Sequence, residues 1–86
     1  MKFKLVYTPE AKEGINKLPS SKFKNLAERN LLKISENPFL GKKLVGKLKG
    51  LYSARITRRY RILYQVLKDE SIIIILDVSH RKVSYR

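Results

Sequence analysis

Two strand-forming runs, YRILYQVL (60–67) and IIIILDV (72–78), stand only four polar residues apart, at Lys68-Asp69-Glu70-Ser71. So short a polar link reads as a hairpin turn, and a hairpin makes the pair antiparallel. The second run is apolar almost throughout, the pattern of a central strand covered on both faces. A shorter strand, Tyr52 to Ile56, precedes the hairpin. The C-terminal part of the chain is therefore sheet, and what comes before it has to cover it.

KFKLVY (2–7) alternates, with Phe3, Leu5 and Tyr7 on one side and Lys2, Lys4 and Val6 on the other, which reads as a further strand. Thr8 suits a helix cap, Pro9 the first helical position, and Glu10 and Glu13 the positive end of the helix dipole. Ala11, Ile15 and Leu18 form a narrow apolar stripe. Gly14 weakens this short helix and Pro19 stops it. Ser20 or Ser21 caps a second, longer helix. Phe23, Leu26, Ala27, Leu31 and Ile34 share one face of it, and Asn37-Pro38 ends it. Residues 39–50, FLGKKLVGKLKG, hold three glycines and four lysines and read as a basic loop with little regular structure. The order is β-α-α-β-β-β without repeats. This is an α+β layout, a helical hairpin on one face of a small antiparallel-rich sheet, with residues 1–86 as a single domain.

A chain of 86 residues builds one modest core. It has no cysteine, hence no disulfide framework and no thiolate metal site. Its one histidine, His80, lies outside any H-E-x-x-H pattern, which argues against a metal centre. MKFKLVYTPEAK lacks the apolar stretch of a signal peptide, and the longest apolar run, Ile72 to Leu76, is too short to span a bilayer. A soluble, cytoplasmic protein with neither membrane anchor nor small-molecule cofactor is expected. Twenty Lys and Arg face seven Asp and Glu, for a net charge of +13. Such a surface attracts polyanions, and nucleic acid, an anionic membrane surface and an acidic protein all fit.

The charge is densest where burial is also expected. RITRRYRILYQV (55–66) holds four arginines among strand formers. Alternation puts Tyr52, Ala54 and Ile56 on one face and Ser53, Arg55 and Thr57 on the other. It sets Arg61 with Leu63 and Gln65, opposite Ile62, Tyr64 and Val66. If Tyr52, Ile62 and Tyr64 face the helices, Arg55, Arg61 and Arg81 converge on the opposite face. Guanidinium forks fit phosphate in two-pronged fashion, and several together favour a phosphorane-like dianion over a ground-state phosphate. Tyr85 or Tyr60 nearby would stack on an unpaired base. These are the pieces of a ribonuclease that uses the substrate's own 2′-OH, and equally those of a passive RNA binder. Basic residues at strand ends are also often simply solvated. Tyr7, Tyr52 and Tyr64 read as core or rim residues. GKKLVGKLKG lacks the strand–loop–helix context of a phosphate loop.

Residues 37–66, NPFLGKKLVGKLKGLYSARITRRYRILYQV, followed by an apolar strand and DVSHRKVSYR (77–86), resemble the RelE/ParE superfamily of toxin–antitoxin toxins. There too a helical hairpin leads into an N-P-x-x-x-G-x-x-L-x-G-like loop, then Y-x-x-R-I, Y-R-I-x-Y and a late H-R. The resemblance covers nearly the whole chain. It implies a fold related to small microbial ribonucleases. For the RelE branch it implies metal-independent mRNA cleavage in the ribosomal A site by 2′-OH attack. For the ParE branch it implies poisoning of DNA gyrase. By resemblance, Arg61 holds the scissile phosphate, Arg81 serves the leaving 5′-oxygen, and Tyr85 stacks on a base. Where the RelE branch has two lysines flanking one residue, this chain reads Ser53-Ala54-Arg55. Arginine is a poor base, so the general base falls to His80, then Lys49, then to no dedicated group. Other branches pair such a histidine with a loop acid, where this chain has Lys42 and Lys43. Lys42, Lys43, Lys47, Lys49, Arg58 and Arg59 are the candidate contacts to RNA and ribosome. The implied partners are an acidic, RelB-like antitoxin, the ribosome and mRNA. A gyrase poison and an inactive basic binding module stay open beside the endonuclease.

Overall fold

The computed structural model describes residues 2–80. Its elements run β1 (Lys4–Tyr7), α1 (Pro9–Asn16), α2 (Ser21–Glu36), β2 (Lys42–Lys43), β3 (Leu51–Arg55), β4 (Tyr60–Leu67) and β5 (Ile72–His80), with a 3-10 turn at Gly46–Leu48. The strands form one sheet in the order β1-β5-β4-β3-β2. β1 is parallel to β5 and the other pairs are antiparallel. This is the expected α+β layout, with one parallel pair added by the return of β5 beside β1.

Both helices start as their sequences dictate. Thr8 Oγ1 accepts the Ala11 N–H at 3.1 Å, with Pro9 in the first turn, and Ser20 Oγ accepts the Phe23 N–H at 3.3 Å. The helices pack on one face of the sheet. Ala11, Ala27, Leu31 and Ile34 meet Ile62, Tyr64, Ile73, Ile75 and Val78 in a single buried cluster. Gly14 permits the closest approach, because a side-chain carbon there would run into the main-chain carbonyl of Val78. The residue that weakens α1 as a helix is thus the one that lets it seat on β5.

Two expectations need correction. β5 is fully covered on one face only: Ile73, Ile75 and Val78 are buried, while Ile72, Ile74 and Leu76 are half-buried. Its apolar run belongs to a strand with neighbours on both edges, β1 and β4, and its open-face side chains are still half-buried. The 39–50 stretch is also more regular than read. Lys42 pairs with Ser53 and Lys43 with Tyr52, so two lysines form the sheet edge. A two-residue strand has no period to detect, and lysine is a residue that edges tolerate.

A bulge between Leu63 and Tyr64 sets the faces of β5. Tyr64 pairs with Ile75 and Leu63 with Asp77, skipping Leu76. Uninterrupted alternation from Ile73 and Ile75 would carry Asp77 into the core. The extra residue instead puts Val78 inside and leaves Asp77 and Ser79 on the open face. Thr8 supports this point: its hydroxyl lies 2.8 Å from the Leu76 carbonyl and 3.2 Å from that of Ile75.

Candidate functional site

Residues paired across neighbouring strands share a face. Ala54 pairs with Ile62, which is buried under the helices, so the next pair, Arg55 and Arg61, must point to the open face. Ser79 continues that row on β5. The adjacent row reads Lys42, Ser53, Leu63 and Asp77. Three cations, Lys42, Arg55 and Arg61, therefore gather around one short stretch of sheet. Asp77 shares the face, and its carboxylate accepts from Ser79 Oγ at 2.7 Å. Arg55 and Lys42 are exposed, whereas Arg61 is half-buried with its Nε shielded from water. The strands fix where these side chains start, and partial burial restricts the Arg61 stem further.

Lys42, Arg55 and Arg61 line an open cleft of about 290 Å³ at the β3 edge, closed on its far side by Asn30, Leu40 and Gly41. Asn30 is anchored to its own helix, its amide donating to the Leu26 carbonyl at 2.8 Å. The loop that brings Leu40 and Gly41 here is tied to the core. Tyr64 Oη donates to the Pro38 carbonyl at 2.9 Å and accepts the Gly41 N–H at 3.0 Å. Its ring stacks on Tyr52 at 5.6 Å, and Phe39 meets Tyr52 edge-on at 5.7 Å. Burial pushes the Tyr64 hydroxyl pKa above its ordinary value, with the Gly41 N–H acting the other way.

The remaining candidates are spread more widely. Tyr60 lies on the helix side, edge-on to Phe23 at 5.6 Å and to His80 at 5.3 Å. It is thus engaged away from the Arg61 face rather than offered to a base there. His80 pairs with Tyr60, and Ser79 takes the place opposite Arg61. His80 lines a separate cleft of about 420 Å³ with Glu10, Glu13 and Lys17. Lys43 is exposed opposite Tyr52, on the other face from Lys42. Lys47 and Lys49 are exposed around the 3-10 turn, and Arg58 and Arg59 in the turn between β3 and β4. Arg81 and Tyr85 lie outside the described residues. Among the described residues no group of acids and histidine is placed to hold a metal ion, and no helix is long and apolar enough to cross a membrane. Sequence reasoning missed Asn30 and the Tyr64 hydroxyl. Neither carries a motif, and only the folded loop brings them to the cleft.

Comparison with known proteins identifies the family and the fold. Residues 5–85 match the model of the ParE toxin of the type II toxin–antitoxin system parDE. Toxin RelG of Mycobacterium tuberculosis is 32% identical over 87 residues, covering 100% of this chain and 99% of the relative. The toxin–antitoxin complex RelBE2 from M. tuberculosis contains a chain that superimposes with a TM-score of 0.80 at 30% identity, over 94% of this chain and 100% of that one. The YoeB/ParE toxin from Agrobacterium tumefaciens has the same fold, with a TM-score of 0.81 at 20% identity over 91% of this chain and 98% of that one.

Proposed function

Since the chain belongs to the ParE toxin family of type II toxin–antitoxin systems, within the RelE/ParE superfamily, we propose that it acts as a ribosome-dependent mRNA endonuclease that arrests translation. The observation that carries this reading is the pairing of Arg55 with Arg61 on the open face, beside a cleft that Lys42 also lines. In the reaction, the substrate's 2′-oxygen forms a bond to the adjacent phosphorus and the P–O5′ bond breaks. The 2′ proton departs, the 5′-oxygen gains one, and the products are a cyclic phosphate and a 5′-OH. Arg61 and Arg55 hold the non-bridging oxygens as their charge grows. Arg81 is assigned to the leaving oxygen and Tyr85 to base stacking. His80 pairs with Tyr60 rather than Arg61, so the reading relies on no histidine base. Rate comes instead from the clustered cations and from positioning by the ribosome. Lys43, Lys47, Lys49, Arg58 and Arg59 supply long-range attraction to ribosomal RNA.

The protein's restraint is an acidic antitoxin that neutralises the arginine face in the cytoplasm, in keeping with the similarity to a toxin chain solved in a toxin–antitoxin complex. A second reading, a gyrase poison, is favoured by the ParE description of the matching family and by Ser53 and Arg55 standing where the RelE branch has lysines.

Mapping mRNA 5′ ends in a cell-free translation reaction decides between them. The endonuclease gives discrete cuts phased to the reading frame with wild type and none with Arg61→Ala. Intact mRNA with wild type, together with inhibited supercoiling, would overturn it in favour of gyrase.

A further inference from the structure

Tyr64 is completely buried in the middle of β4, yet it ends in a hydroxyl. A buried hydroxyl must be satisfied, and this one is satisfied twice, by main-chain groups of one loop. The Pro38 carbonyl and the Gly41 N–H stand three residues apart, the two groups that an ordinary β-turn joins to each other. Here Tyr64 Oη sits between them, accepting from one and donating to the other. The loop is thus closed through a side chain rooted in the sheet and not through itself alone.

Gly41 is the residue before β2, and β2 has only two residues, one of them Lys42. So short a strand is held by few hydrogen bonds, and its position depends on what delivers the chain to it. Gly41 itself leaves no slack. A side-chain carbon there would lie within 2.8 Å of the Ser53 carbonyl and against Tyr64 Oη. Ser53 is also the register partner of Lys42. The hydroxyl, the glycine and the lysine therefore form one mechanical chain running from the core to the cleft.

We propose that the Tyr64 hydroxyl is a latch that fixes the 38–41 loop and thereby holds Lys42 beside Arg55 and Arg61, making Tyr64 a positioning residue for RNA phosphate in the cleft. The inference rests on reading that cleft as the RNA site. Tyr64 does not touch the RNA; it acts through Lys42.

The test uses wild type, Tyr64→Phe, Lys42→Ala, the double variant and Arg61→Ala. Two quantities are measured: amide hydrogen exchange, and affinity for a single-stranded RNA oligonucleotide at low salt. Tyr64→Phe keeps the ring and removes only the latch. Exchange at the Gly41 amide should then rise about tenfold, while core amides of β4 and β5 stay protected. Tyr64→Phe and Lys42→Ala should each weaken oligonucleotide binding about two- to fivefold, and the double variant should bind no worse than Lys42→Ala alone. Unchanged Gly41 exchange would overturn the latch. Losses that multiply in the double variant would overturn its action through Lys42, since a general loss of stability acts independently of that lysine. Arg61→Ala tests the underlying reading separately. If wild type fails to bind, or if Arg61→Ala binds as wild type does, the cleft is not the RNA site, and the exchange rates alone decide the latch.

Discussion

Arg55 of β3 and Arg61 of β4 occupy directly opposed positions on the open face of the sheet. Like charges so placed work against folding. Arg55→Glu turns the pair attractive, and it is expected to raise stability by about 0.2–1 kcal/mol. The same change should weaken RNA binding, because it removes one cation from the cleft and neutralises another. Urea denaturation beside an RNA titration reads both effects. A variant that loses stability and keeps its RNA affinity would show that the pair serves the fold instead.

Gly14→Ala tests how tightly α1 seats on β5. In an exposed helix the change would stabilise by about 1 kcal/mol. Here the added methyl meets the Val78 carbonyl and forces the helix outward. A loss of about 1–3 kcal/mol is expected. Asn16→Ala, on the exposed end of the same helix, should stay within about 0.5 kcal/mol of wild type. Equal stability of the two variants would mean that α1 shifts freely over the sheet.

Thr8 serves two structures with one hydroxyl, capping α1 and binding the Leu76 carbonyl at the bulge. Thr8→Val keeps the shape and removes both bonds. Thermal unfolding should report a loss of about 1–3 kcal/mol, with Thr8→Ser recovering most of it. If valine proves as stable as wild type, the hydroxyl bonds do not hold this junction.

Burial raises the pKa of Tyr64 above its ordinary 10.0, and burial followed by the charge of Glu28 does the same for Tyr7. The folded state therefore holds these protons more tightly than the unfolded chain. Their contribution is fully present below pH 10 and is lost as pH climbs through the raised values. Unfolding free energies measured through the alkaline range should decline for wild type and decline less steeply for Tyr64→Phe. Parallel curves would remove Tyr64 from the account.

Much of this was legible in the sequence because local rules and global fold agree. Thr8-Pro9 and Ser20 start the helices as read, the Lys68–Ser71 link makes the hairpin, and strand alternation separates Arg55 and Arg61 from Ile62 and Tyr64. What escaped depends on distant parts meeting. Gly14 reads as a helix defect until Val78 is seen above it. Lys42 and Lys43 read as loop because two residues cannot show a period. Tyr64 reads as core, and it is core, but nothing local announces that its hydroxyl reaches the chain 23 and 26 residues earlier. His80 follows Ser79 of the arginine face in sequence, and pairing with Tyr60 directs it elsewhere.

The skipped Leu76 divides β5 into two reading frames. Before it, odd-numbered positions such as Ile73 and Ile75 belong to the helices; after it, the even-numbered Val78 does. Odd-numbered positions thus turn to the open face only downstream of that joint, where Asp77 and Ser79 stand, and even-numbered ones only upstream, while His80, even-numbered and downstream, falls on the helix side with Tyr60. One supernumerary residue lets a single strand answer to packing along its first half and present charge and hydroxyl along its second, without either half compromising the other.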